Sequence, residues 1–137
     1  MRLNLELITA YLQKQPTVSA AYLFGSHAKG TARADSDVDI AVLFTTGLSF
    51  KERFDLKLSL AGDLEELLTK QVDVVDLEEA SYLLRHQVFL HGILLFEKNP
   101  RERVEFVVKS RREYFDFRKF IEQRNNALLN EIEVKKW

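Results

Sequence analysis

The sequence predicts an α/β fold: a small mixed sheet of three to four strands flanked by helices and followed by a long C-terminal helix. Three observations predict it. Short apolar runs rich in β-branched and aromatic residues alternate with longer segments of helical period. The 137 residues are 46% hydrophobic and 30% charged, the balance of an ordinary folded chain. That length suits one domain over 1–137, with a core at about 18–96 and a helical segment at about 100–134.

Each element has its own signal. Leu3, Leu7 and Tyr11 repeat at i+4, as do Ile8 and Leu12, so residues 3–14 read as a helix that Pro16 stops. VSAAYLF, residues 18–24, is too short for a good helix and reads as a buried strand that Gly25 ends. SHAKG, residues 26–30, reads as one helical or tight turn closed by Gly30. DVDIAVLF, residues 37–44, is the second strand, with Val38, Ile40, Val42 and Phe44 on one face and Asp37, Asp39, Ala41 and Leu43 on the other. Residues 50–68 form an amphipathic helix whose apolar stripe is Phe54, Leu58 and Ala61, then Leu60, Leu64, Leu67 and Leu68. QVDVVD, residues 71–76, is the third strand. Residues 79–91 suggest a helix with Leu83, Leu84, Val88 and Phe89 inward, broken by Gly92 before a short strand at 93–96. Pro100 suits a first helical turn, and the helical period then runs to Leu129 or beyond, interrupted by Arg111, Arg118 and Asn125.

Composition excludes several classes of function. Twenty Lys+Arg against twenty-one Asp+Glu give a net charge of -1, so general basic attraction to nucleic acid is not expected. The absence of cysteine excludes disulfides, thiolate nucleophiles and cysteine zinc sites, and fits a reducing, cytoplasmic setting. The opening MRLNLELITAYLQ carries Asn4 and Glu6 among its apolar residues and does not read as a signal peptide. No uncharged apolar run approaches the roughly 20 residues that cross a bilayer, so no membrane partner is expected.

The segment GSHAKGTARADSDVDIAV, residues 25–42, carries chemistry. Asp37 and Asp39 stand two apart on a strand, about 6.6 Å between Cα atoms, and face the same side. Two such carboxylates repel unless a cation intervenes, and burying them unpaired is costly. A hard dication such as magnesium answers both problems and joins carboxylates to substrate phosphates. Gly25 and Ser26 follow the first strand, where a glycine lets backbone N–H groups approach phosphate oxygens and the Ser26 hydroxyl adds a donor. The amide end of a turn opened by Ser26 would also favour an anion, and Lys29 and Arg33 add positive charge nearby. A third acid would complete the site. On QVDVVD, Asp73 and Asp76 face opposite ways, so only one can join the pair. Asp73 is preferred because it lies mid-strand, whereas Asp76 sits where a helix cap is plausible. Asp73 could hold a second metal, accept a proton from an attacking hydroxyl, or both.

Gly-Ser, ten residues, then Asp-x-Asp resembles the signature of the DNA polymerase beta-like nucleotidyltransferase superfamily. The wider stretch YLFGSHAKGTARADSDVDIAVL is similar to the minimal nucleotidyltransferases of prokaryotes, antitoxins paired with HEPN-domain toxins. The resemblance covers about residues 18–96. It implies that Gly25 and Ser26 hold the nucleotide phosphates, that Asp37 and Asp39 bind magnesium (two ions in all), and that Asp73 is the third catalytic carboxylate and metal ligand. It also implies transfer of AMP from ATP to a tyrosine of a cognate HEPN ribonuclease toxin, and a hetero-oligomer with that toxin. Ala28-Lys29-Gly30 stands where the family often has Ala-Arg-Gly, which keeps a phosphate-binding charge without the planar fork.

Several residues carry blander readings. Ser36 reads as a turn residue orienting the strand, Asp35 as a solvated acid, His27 as a turn residue with a possible phosphate or base contact, and His86 and His91 as packing or surface histidines. The last 38 residues hold ten Lys+Arg and seven Asp+Glu, with Phe106, Tyr114, Phe115, Phe117, Phe120 and Trp137 mostly at helical spacing. Packing and a protein partner explain that pattern better than base stacking. Two alternatives to AMP transfer onto a protein stand: a non-catalytic antitoxin that binds tightly, and a small-molecule nucleotidyltransferase that needs a separate substrate-binding subunit.

Overall fold

A computed structural model describes residues 3–135, with side chains to residue 132, so Trp137 lies outside the described residues. The elements follow in the order α1 (Leu5–Gln13), β1 (Val18–Phe24), α2 (Ser26–Lys29), β2 (Val38–Phe44), α3 (Phe50–Leu68), β3 (Val72–Asp76), α4 (Tyr82–His91), β4 (Ile93–Glu97) and α5 (Pro100–Lys135). The four strands form one mixed sheet in the order β3-β2-β1-β4. β1 runs antiparallel to both β2 and β4, whereas β2 and β3 are parallel, joined by the crossover helix α3.

Local chemistry sets the ends of the helices. The Asn4 side chain accepts from Leu7 N at 3.1 Å and starts α1. Ser49 and Glu52 form a reciprocal capping box at α3. Ser81 caps α4 through Leu84 N, which moves the helix start from the expected residue 79 to Tyr82. Asn99 accepts from Glu102 N at 3.2 Å and places Pro100 at the first position of α5, where its missing N–H costs nothing.

The sheet is covered on both faces. Ala21, Leu23, Val38, Ile40, Val42, Phe44, Val72 and Val74 pack with Ile8 and Leu12 of α1 and Leu60 and Leu64 of α3. On the other face Ala20, Tyr22, Ala41 and Leu43 meet Val88 of α4, with Phe89 and Phe106 alongside. Asp39 alternates with Ala41 and Leu43, so its carboxylate lies on this second face, the face of α4 and α5.

Three expectations about facing are corrected. In α3 the inward line is Arg53, Leu60 and Leu64, with Leu56, Ala61 and Leu68 partly buried, while Phe54, Leu58 and Leu67 are exposed. The helix is turned this way because Arg53 reaches inward to Asp76: Nε to Oδ2 is 2.8 Å, and Nη2 donates to Glu79 Oε1 at 2.8 Å. Nη1 donates to the Leu48 carbonyl at 2.8 Å. In α4, Leu83 is exposed, and the buried residues are Arg85 and Val88. Asp37 is exposed and precedes the strand, which starts at Val38.

Asp76 is therefore a structural acid, with a side chain only 4% exposed. Replacing Arg53 by methionine would leave it buried without its cation. The expected cost is about 3 kcal/mol, read as a lower urea midpoint with an unchanged slope.

α5 spans 36 residues. Its first turns are anchored by Arg103, which donates to Tyr22 Oη at 3.0 Å and pairs with Glu97. Further along, Tyr114 stacks on His86 of α4 with ring centroids 3.9 Å apart. Beyond Ile121 every described side chain is exposed. Among the described residues no helix is long and apolar enough to cross a membrane.

Candidate active site

The site is built at the end of β1 and the beginnings of β2 and β3. Gly25 leaves β1 with φ +74° and ψ −153°, a backbone conformation that glycine alone adopts readily. α2 follows as a single turn, and Gly30 closes it in the left-handed region at φ +75°. A Cβ on Gly25 would lie 2.2 Å from Asp39 Oδ2. The glycine turn and the Asp39 carboxylate are thus packed directly against each other.

The register brings the acids together. Asp39 is the cross-strand partner of Asp73 in the parallel pair β2–β3, and of Phe24 in β1. Register partners point to the same face, so Asp39 and Asp73 stand side by side. Asp37 lies two residues before Asp39, in the loop that enters β2.

Electrostatics reflects this crowding. The Asp39 carboxyl is pushed above the ordinary 3.8, first by desolvation and then by the charges of Asp73 and Asp37. His27 opposes the rise. Raised carboxyls arise where anions share a site without a cation. Among the described residues no three His, Asp or Glu side chains are gathered tightly enough to hold a metal ion unaided. The donor set nevertheless suits magnesium by its chemistry: all oxygen, with Asp39 and Asp73 side by side and Asp37 close enough to act on Asp39.

The remaining expected residues lie in the turn after Gly25 and in the loop that follows it. Ser26 is the first residue of α2, and Lys29, in the same turn, is exposed. Arg33 lies in the exposed loop, where its backbone N–H donates to Ser36 Oγ at 2.7 Å. Ser36 is thus a turn residue, and Asp35 is exposed. The structure places Lys29 and Arg33 near the turn without fixing their side chains to the acids.

Sequence reasoning also missed three arginines that tie the elements together away from the acids of the site. Arg53 and Arg103 are described above. Arg85 joins the β3–α4 connection to α5: Nη2 donates to the Glu78 carbonyl at 2.6 Å, and Nη1 lies 3.4 Å from Ser110 Oγ and Glu113 Oε2. Its guanidinium also stands 5.1 Å from the Phe106 ring centroid. A signal for Arg53 was present, since it stands one heptad before Leu60, on the inward line of α3.

The chain matches the family model described as "Polymerase beta, Nucleotidyltransferase" over residues 6–101. A relative from Shewanella oneidensis, protein adenylyltransferase MntA, is 38% identical over 95 residues, 69% of this chain and 65% of its own length. The chain thus spans slightly less than two thirds of that relative. A solved toxin–antitoxin structure with AMP-PNP is 30% identical, with a TM-score of 0.70 over 95% of this chain and 98% of the other. A second structure, the tri-AMPylated Shewanella oneidensis HEPN toxin in complex with its MNT antitoxin, matches at 27% identity and a TM-score of 0.58, covering 94% of this chain and 98% of the other.

Proposed function

The chain belongs to the polymerase beta nucleotidyltransferase family, and from that premise we propose that it is an antitoxin that silences a cognate HEPN toxin by adenylylation. AMP passes from ATP to a tyrosine hydroxyl of the toxin. The reading is supported above all by the register pairing of Asp39 with Asp73 beside the Gly25 turn. The names of the similar proteins, an adenylyltransferase and antitoxins in toxin complexes, point the same way.

Asp37 and Asp39 would hold magnesium, with Asp73 available to a second ion. Bound magnesium would offset the triphosphate charge and make the α-phosphorus a better electrophile. The Gly25 and Ser26 amides and the Ser26 hydroxyl orient the β- and γ-phosphates. Lys29 and Arg33 add a screening positive field at the mouth. Asp73 accepts the proton of the attacking tyrosine hydroxyl. The bond from that oxygen to the α-phosphorus forms as the bond to the bridging oxygen breaks, and pyrophosphate leaves.

The acceptor in this reading is a protein, as the names of the similar adenylyltransferase and of the tri-AMPylated toxin complex suggest. α5 offers Phe115, Phe117, Phe120, Leu128, Leu129 and Ile132, all exposed. We assign this surface to the toxin in a hetero-oligomer, in the cytoplasm.

The test is incubation with ATP labelled at the α-phosphate, magnesium and a HEPN protein from the same source. Label on a toxin tyrosine, lost with EDTA, is expected. A stable complex that never takes label would favour neutralisation by binding alone. Label on a small alcohol would favour the small-molecule reading.

A further inference from the structure

We propose that His27 is a positioning residue that ties the glycine turn to the loop delivering Asp37. The inference rests on the assignment of Asp37 as a metal-holding acid. His27 belongs to α2, immediately after Gly25 and Ser26. Its Nε2 lies 3.3 Å from the carbonyl oxygen of Ser36, the residue before Asp37. A carbonyl only accepts, so the imidazole donates there through Nε2–H.

The tie matters because Asp37 has little else to hold it. It precedes the first residue of β2 and is exposed, so the strand ladder does not fix it. Its place depends on the loop from Gly30 to Ser36. That loop carries a turn of its own, with Ser36 N donating to the Arg33 carbonyl at 3.0 Å and Arg33 N to Ser36 Oγ at 2.7 Å. From the α3 side, Lys70 Nζ donates to the Ala34 carbonyl at 2.8 Å. From the strand side, Val38 N donates to the Gln71 carbonyl at 2.9 Å. Thr31 N donates to the Ser26 carbonyl at 3.0 Å where the loop leaves the turn, and the His27 bond joins the same turn to the far end of the loop, next to Asp37. It therefore couples the phosphate-binding backbone to the metal-binding acid.

The imidazole is suited to the task. It is half-buried and lines a cleft together with Leu3, Leu5, Leu23, Ala32 and Ile93, side chains that offer it no competing polar partner. A planar ring carried on a short turn and bonded at Nε2 sets the distance between that turn and the Ser36 carbonyl.

Two measurements on His27→Ala and His27→Gln decide the matter, because glutamine can present an N–H near the position of Nε2. First, amide NMR spectra of the metal-free protein should show the Ser36 and Asp37 resonances displaced in H27A and returned toward the parent in H27Q. Second, calorimetric titration of manganese into protein with AMP-PNP, without acceptor, should show affinity reduced about tenfold in H27A and largely restored in H27Q. Unmoved amides, an unchanged manganese affinity, or a glutamine variant as impaired as the alanine variant would each overturn the proposal. If the parent protein binds no manganese–nucleotide at all, the adenylyltransferase reading fails, and the amide spectra still decide whether His27 holds the loop.

Discussion

An Asp39→Asn variant is expected to lose AMP transfer by on the order of 10³-fold while folding as well as its parent or better. The activity loss follows from position. Asp39 is the central acid, paired in register with Asp73, two residues from Asp37 and against the Gly25 turn. Asparagine keeps the shape but removes the charge that would hold magnesium on the triphosphate. The stability gain follows from the raised Asp39 carboxyl, which burial and the neighbouring acids push above 3.8. The folded state then binds the Asp39 proton more tightly than the unfolded state does. Its stabilising share is full below the unfolded value of 3.8 and is lost as pH rises through the raised folded value. At neutral pH, without metal, the ionised Asp39 therefore works against folding. Thermal melts in EDTA should place D39N above the parent at pH 7, with the gap closing as the solution is acidified below about pH 4. Magnesium with ATP should raise the melting temperature of the parent and leave D39N nearly unmoved. A D39N protein that still labels the toxin at the parental rate would remove Asp39 from the chemistry.

A Gly25→Ala variant should lose about 10²-fold in transfer and about 1–2 kcal/mol in stability. Two separate effects combine. The backbone at φ +74° and ψ −153° is strained for any residue with a Cβ. That Cβ would also meet Asp39 Oδ2 at 2.2 Å, so the carboxylate must swing away. Rotation of one side chain is cheap for folding but moves the acid most needed at the site. Gly30→Ala is the control without a clash, since Gly30 has nothing within 4 Å of an added Cβ and sits at φ +75°, ψ 15°, a left-handed conformation whose strain is the milder of the two. G30A should therefore lose stability while keeping most of the transfer rate. Equal activity losses in the two alanine variants would show that strain alone, and not displacement of Asp39, explains the Gly25 requirement.

Much of this arrangement was legible in the chain. Asp39 is visible because it interrupts an otherwise apolar strand, whereas Asp37, read by the same period of two as a strand residue, lies in the loop before Val38. The Gly25–Ser26 pair is visible because it ends an apolar strand. Alternation showed that only one of Asp73 and Asp76 could face the pair, the mid-strand place of Asp73 favoured it, and the register pairs it with Asp39. The inward side of α3 was read less well. Its helical period is compatible with a stripe through Phe54 and Leu58, both of which are exposed. Arg53 occupies the inward line because its cation is matched by Asp76 and Glu79, groups 23 and 26 residues away in sequence. Hydropathy scores an arginine as outward and carries no record of such a partner. The role of His27 was equally hidden, because its bond to Ser36 depends on how an irregular loop returns to the turn.

By itself the sequence determined the succession of helices and strands, the acid motif where β2 begins and the glycine turn. These are local properties, set by the period of the side chains and the φ, ψ freedom of single residues. Tertiary structure decided the strand order β3-β2-β1-β4, the pairing of Asp39 with Asp73, the burial of Asp76 under Arg53 and the projection of α5. Those depend on which surface covers which. Periodicity shows that residues share a face, but the partner of that face is chosen by contacts between segments far apart in the chain.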